Sequence, residues 1–189
     1  PPSSSAPVQP PPLDLTRLYA GKRIFLTGST GFLGKVALST ILGKLPGVGK
    51  VVCLVRARDD AAAEDRFLKD VVASPALDPV RERHGLGLRD FIRSKVEVKA
   101  GDCSEERRGL DEAGFVALAK GLDAIVHCAG LVDFVPPLDK GIAANVEGTL
   151  NVVELAKLAG KKCVFLHVST CFVQGERGGQ VLEELRPNE

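Results

Sequence analysis

Apolar residues fall in short, nearly unbroken runs separated by longer amphipathic or polar stretches. Such runs lie within Arg23–Thr27, Val51–Val55, Val96–Ala100, Ala124–Cys128 and Cys163–Val168. Runs this short, rich in Val, Ile and Leu, predict strands buried on both faces of a parallel sheet. Between them the spacing turns helical. Over Gly31–Leu45 apolar side chains recur at 33, 36, 37, 38, 41 and 42, until Pro46-Gly47 breaks the pattern. Helices are also predicted over Glu112–Lys120 and Leu138–Ala159. Residues 61–94 form a long crossover, read as two helices around the breaker Ser74-Pro75. Ahead of the first strand, Leu13, Leu15, Leu18 and Tyr19 suit a short helix packed on the domain. This alternation predicts an α/β domain with a doubly wound parallel sheet. Right-handed crossovers leave few strand orders, and 3-2-1-4-5 is the expected one.

The junction between the first strand and the first helix changes the picture most. It reads Thr27-Gly28-Ser29-Thr30-Gly31-Phe32-Leu33-Gly34. Gly28 allows a tight turn off the strand. Gly31, lacking a Cβ, allows a pyrophosphate to approach the backbone, and Gly34 allows the helix to pack close to the sheet. The helix N-terminus adds free N–H groups and the positive end of a dipole. Residues 28–34 are therefore candidate dinucleotide-binding residues in a Rossmann domain spanning 13–189. The spacing G-x-x-G-x-x-G, with Thr27 before it, resembles that of extended short-chain dehydrogenases/reductases.

Composition removes other classes. Net charge is +1 over 189 residues, which points to neither nucleic acid nor an anionic membrane surface as partner. No apolar run approaches the roughly 18 residues of a membrane span, and no secretory segment is apparent. Five cysteines without a C-x-x-C pair read as free thiols in a reducing, cytoplasmic compartment rather than as disulfides or a metal site. Residues 1–12, dominated by Pro and Ser, read as a linker following an upstream fused domain, or as a disordered tail.

The remaining strand ends carry further candidates. After strand two, where an acid would bind a free ribose 2′-hydroxyl, stands Arg56, with Arg58 two residues on. Forked, charged donors match a 2′-phosphate and favour NADPH. After strand three, Asp102 and Cys103 lie at the edge where adenine would rest, although a turn aspartate often only caps backbone. After strand four, Cys128-Ala129-Gly130 lets the chain lie against a ribose. His127, at that strand's end, and His167 read as satisfied core groups, and His84 as a loop residue. After strand five, Ser169 and Thr170 could hydrogen-bond a substrate carbonyl, or serve as a helix cap.

Taken together, Arg23–Gly34, Leu54–Arg58, Gly101–Glu105, His127–Ala129, Asn145–Leu150 and His167–Gly175 resemble the NADPH-binding part of fatty acyl-CoA reductases. The thioester reductase domains of carboxylic acid reductases and peptide synthetases are nearly as similar. The long insertion at 59–95, Phe134-Val135-Pro136-Pro137-Leu138 and Gly175-Glu176-Arg177 strengthen the likeness. The resemblance implies NADPH-dependent reduction of a fatty acyl thioester, on CoA or a carrier protein, to an aldehyde or alcohol. It adds Asn145 to the cofactor-binding set and makes Thr170, with Ser169 beside it, the hydroxyl of a Ser/Thr-Tyr-Lys catalytic set.

In the family the tyrosine protonates the developing alkoxide, and the lysine four residues on lowers its pKa. Here the only tyrosine is Tyr19, followed four residues later by Arg23, and no Tyr-x-x-x-Lys occurs. The expectation is a sheet truncated after strand five, in a chain that binds cofactor without turnover. Two other readings stay open: an extended reductase or epimerase acting on a nucleotide sugar or sterol, and a non-catalytic dinucleotide-binding module.

Overall fold

The computed structural model describes residues 12–182, so the segment 1–11 of the proline/serine-rich stretch and residues 183–189 lie outside the described residues. Five strands form one sheet: β1 (Arg23–Thr27), β2 (Lys50–Val55), β3 (Val96–Ala100), β4 (Ala124–His127) and β5 (Val164–His167). Their order is β3-β2-β1-β4-β5 and every pairing is parallel. Order and class are those the sequence predicts. Because all strands run the same way, all five C-termini open on one edge.

Successive residues of β1 serve opposite faces, as the strand period requires. Ile24 and Leu26 pack with Leu38 and Leu42 of α2 (Phe32–Lys44). Phe67 of α3 (Asp60–Phe67) and Ile92 of α5 (Leu88–Lys95) join that layer. Phe25 instead meets Leu118 of α6 (Glu112–Ala119), with Val152 and Leu155 of α8 (Gly148–Ala159). Burying a side chain such as Phe25 or Leu155 contributes roughly 1.5–3 kcal/mol, so the two layers hold the sheet from both sides.

Four expectations are corrected. The crossover from β2 to β3 contains α3, a π-helical turn (Leu68–Val72), α4 (Asp78–His84) and α5, not two helices. The helix predicted over Leu138–Ala159 is interrupted: α7 (Leu138–Gly141) runs into a π-helical segment, Ile142–Glu147, before α8. Strand five is not buried on both faces. Phe165 packs on the α8 side, but Val164 and Leu166 are exposed because α2 and the crossover cover only β1–β3 and part of β4. The N-terminal helix α1 (Leu15–Leu18) forms, capped by Asp14, whose Oδ1 accepts from the Arg17 N–H at 3.1 Å. Its leucines and Leu13 remain exposed, and Tyr19 alone packs on the first layer.

Candidate functional site

The open edge of the sheet gathers most of the predicted residues. Gly28 leaves β1 with φ +71°, and a Cβ there would lie 2.7 Å from the Ala129 nitrogen. The turn and the close approach of the loop after β4 thus both require glycine. Gly34 is buried in α2, and a Cβ on it would fall on the Gly28 carbonyl. Gly31 differs from both. It is the N-cap of α2, it is exposed, and a Cβ on it would meet nothing within 4 Å except the Gly28 oxygen at 3.3 Å. Gly31 supplies no side-chain acceptor and the first turn of α2 holds no acidic residue. The thirteen-residue helix therefore presents the orphan N–H groups of its first turn and an uncompensated positive end. These features fit a dinucleotide pyrophosphate.

Within the loop the side chains diverge. Phe32 and Leu33 are exposed and Thr30 is half-buried, whereas Ser29 is fully buried beside the Cys53 thiol. Burial pushes the Cys53 thiol up to about 12, so it stays a neutral packing group. None of Cys53, Cys103, Cys128 and Cys163 is in a disulfide. Among the described residues no group of three His, Cys, Asp or Glu side chains could hold a metal ion.

Beyond β2 and β3, two candidates meet. Arg56 Nη1 lies 3.8 Å from Asp102 Oδ2, and the arginine side chain is 73% exposed. An exposed pair of this kind contributes at most about 1 kcal/mol, so the guanidinium is available to a stronger anion. Asp102 Oδ1 also accepts from the Ser104 N–H at 2.9 Å and the Ser104 hydroxyl at 2.8 Å. It is thus at least a turn cap, as sequence reasoning allowed. Arg58 is exposed and pairs with its neighbour Asp59 at 3.1 Å. Cys103 is buried in the second core against Gly148 of α8.

The loop after β4 is held by a network that sequence reading missed. Thr27 Oγ1 accepts from the Ala129 N–H at 3.2 Å and lies 2.7 Å from His127 Nδ1. His127 Nε2 lies 3.2 Å from Thr149 Oγ1, which donates to the Asn145 carbonyl at 2.8 Å. The Asn145 side chain clamps the loop further: its Oδ1 accepts from the Leu131 N–H at 2.7 Å and its Nδ2 donates to the Leu131 carbonyl at 3.0 Å. Asn145 is therefore engaged in holding the loop. Thr27 stood out only as a neighbour of the glycines, and Thr149 carries no local signal, because its partner is 22 positions away.

His127 is fully buried, as a satisfied core histidine should be. His167, read the same way, is instead exposed on β5, its ring 5.2 Å from that of His127. His84 ends α4 and stacks on Phe91. Burial, with the His167 charge nearby, lowers the His127 pKa from 6.5 to about 4. Between those values the unfolded chain binds the proton that the folded chain refuses, so stability falls as pH drops through that window. At 1.36 kcal/mol per unit the loss reaches about 3 kcal/mol by pH 4. Urea melts of the parent and of His127→Phe between pH 7 and pH 4 check this: the variant should lose most of the slope. Equal slopes would assign the acid sensitivity elsewhere.

At the far end of the edge, Ser169 and Thr170 follow β5 and both are exposed. Thr170 caps a 3-10 turn (Cys171–Gln174), its Oγ1 accepting from the Phe172 N–H at 3.2 Å. Its own proton is left to donate. Tyr19 lies at the opposite end of the sheet, beside the Ala20–Val48 bridge that precedes β1 and β2. The structure does not bring the only tyrosine to the hydroxyls.

A doubly wound sheet with a glycine-rich turn into an open helix N-terminus has the architecture of a dinucleotide-binding domain of the short-chain dehydrogenase/reductase class. A family model described as "Male sterility protein" matches residues 26–189. The chain is 31% identical to fatty acyl-CoA reductase 2, chloroplastic, of Arabidopsis thaliana over 91% of its length and 28% of that protein's. To the alcohol-forming fatty acyl-CoA reductase of Simmondsia chinensis it is 31% identical, over 86% of this chain and 33% of that one. Among solved structures, the reductase domain of a non-ribosomal peptide synthetase from Mycobacterium tuberculosis aligns with TM-score 0.65 at 34% identity, covering 82% of this chain and 34% of that one. The chain belongs to the fatty acyl-CoA reductase and thioester reductase family, of which it forms the N-terminal, NAD(P)-binding portion. It spans about a third of the length of those relatives. Among the described residues no helix is long and apolar enough to cross a membrane.

Proposed function

We propose that residues 13–189 bind NADPH as part of an enzyme that reduces a fatty acyl thioester, carried on CoA or a carrier protein, to an aldehyde or, by a second reduction, an alcohol. The observation that carries this reading is the shared open edge. The glycine turn and the uncapped start of α2 suit the pyrophosphate, Arg56 the 2′-phosphate, the loop 128–130 the ribose, and Ser169 and Thr170 the reacting carbonyl. NADPH would supply the hydride. The residues of this chain would bind the cofactor and orient the carbonyl. Gly31 leaves room for the phosphates, Asn145 and Thr27 fix the loop against which the ribose lies, and Thr170 donates a hydrogen bond to the carbonyl oxygen as negative charge grows on it. Family membership weighs against a nucleotide-sugar or sterol enzyme. A non-catalytic binding module is the second reading, favoured by the position of Tyr19 at the wrong end of the sheet. A fused upstream domain and a reducing, cytoplasmic setting belong to the same proposal.

Cofactor choice tests the binding half of this reading. NADPH should bind at least tenfold better than NADH, a difference of about 1.4 kcal/mol, which is modest for a guanidinium meeting a phosphate. Titration calorimetry should show Arg56→Ala losing that preference while its NADH affinity stays unchanged. Equal parental affinities for the two cofactors would overturn the assignment of Arg56.

A further inference from the structure

For a neutral His127 ring the threonine–histidine–threonine network has one consistent arrangement of protons. At one end the Ala129 N–H can only donate, and it donates to Thr27 Oγ1. At the other end the Asn145 carbonyl can only accept, and it takes the Thr149 hydroxyl proton. Thr149 Oγ1 must then accept from His127, which puts the imidazole proton on Nε2. Nδ1 is left bare and accepts the Thr27 hydroxyl proton. Every donor in the series has one acceptor, and the Asn145 carbonyl sets the direction for the neutral ring.

The ends of this series lie where the proposed cofactor site is assembled. Thr27 immediately precedes Gly28, Ala129 begins the loop after β4, and Asn145 sits in the π-helical segment. The clearance between the first two is small, since a Cβ on Gly28 would lie 2.7 Å from the Ala129 nitrogen. A small shift of the β4 loop would close on the glycine turn. From this geometry we propose that His127 is a positioning residue, held as the Nε2–H tautomer, which joins β1, the β4 loop and the π-helical segment and so sets the spacing of the cofactor site. The inference deepens the NADPH-binding reading above and rests on it.

Nitrogen-15 NMR of the histidine rings in the 189-residue chain tests the proton arrangement without any cofactor. The expected pattern is a neutral His127 ring, protonated on Nε2, between pH 8 and pH 7. A ring protonated on Nδ1, or on both nitrogens, would overturn the proposal. NADPH titration tests the positioning role. His127→Phe keeps an aromatic ring and removes both hydrogen bonds, and should weaken NADPH at least tenfold in a protein whose circular dichroism is unchanged. His127→Gln can restore a donor toward Thr149 and should recover to within about threefold of the parent. Parental affinity in His127→Phe, or equal losses in the two variants, would overturn it. If His127→Phe does not fold, Thr149→Val removes the same link from the half-buried end and should weaken NADPH several-fold. A parent that binds no NADPH would instead defeat the cofactor reading, and with it the positioning role, even if the NMR pattern is as expected.

Discussion

Gly31→Val should leave a folded protein that binds NADPH at least a hundredfold more weakly than the parent, a loss of about 2.7 kcal/mol or more. The argument turns on what each glycine of the loop touches. A side chain on Gly34 would drive into the Gly28 carbonyl, and one on Gly28 would press on the backbone of Cys128 and Ala129 at a positive φ. Substitution at either would disturb the fold itself, at a typical overpacking cost of 1–3 kcal/mol. Gly31 has φ −81° and ψ 168°, which any residue adopts, and its only neighbour within 4 Å of a Cβ is the Gly28 oxygen. Valine there gives up a better N-cap residue, worth about 1 kcal/mol, and asks the Gly28 oxygen, 3.3 Å from the new Cβ, to give by a few tenths of an ångström. Its methyl groups would stand where the phosphates must approach the first N–H groups of α2. Fluorescence titration with NADPH, alongside thermal melts, separates the two effects. Parental affinity in a folded Gly31→Val protein would mean that the glycine loop is only a turn. A protein that unfolds would mean that the space beside Gly31 is needed by the chain and not by a ligand.

The sheet order was legible because it follows from rules that act locally. Short apolar runs mark strands, glycine and proline mark their ends, and the handedness of each crossover then fixes the neighbours. The glycine turn was legible for the same reason, since strand, turn and helix are contiguous. What escaped was set at long range. His127 looked like any core histidine, and its partners Thr27 and Thr149 lie 100 and 22 positions away. Cys103 and Ser29 sat in the right stretches, but which way each side chain turned depended on α8 and on Cys53 of β2. The exposure of Val164 and Leu166 was hidden because an apolar run reports the capacity to be buried, not the presence of a cover. The π-helical segment has no periodic signature of its own: the apolar spacing over residues 138–159 suits one helix, and the Asn145 clamp on Leu131 that accompanies the interruption joins residues 14 positions apart.

The 189-residue chain should show no measurable thioester reduction, whereas a chain extended past Glu189 to include a Tyr-x-x-x-Lys pair near Thr170 should turn over. Hydride addition to a thioester carbonyl builds negative charge on oxygen, and the product needs a proton. Thr170 can offer one hydrogen bond, but an unperturbed hydroxyl is a poor proton source near pH 7. A tyrosine whose pKa is lowered by a neighbouring lysine is matched to the task. The single tyrosine of this sequence packs on the first core layer at the opposite end of the sheet, so no rotamer brings it to the site. Loss of general acid assistance alone is typically worth about 10² to 10⁴ in rate. The described edge around Thr170 also leaves Phe134, Phe172 and Val173 exposed, so a substrate would be loosely held and further rate lost through poor positioning. The measurement is NADPH oxidation with a long-chain acyl-CoA and, in parallel, with an acyl-carrier protein, for the short and the extended chain. Cofactor binding by both chains with turnover by the extended one alone is the expected result. Comparable rates from the two would show that the proton comes from a group on this chain and that the catalytic role of Thr170 has been misassigned. Binding without turnover by the extended chain would favour the non-catalytic module.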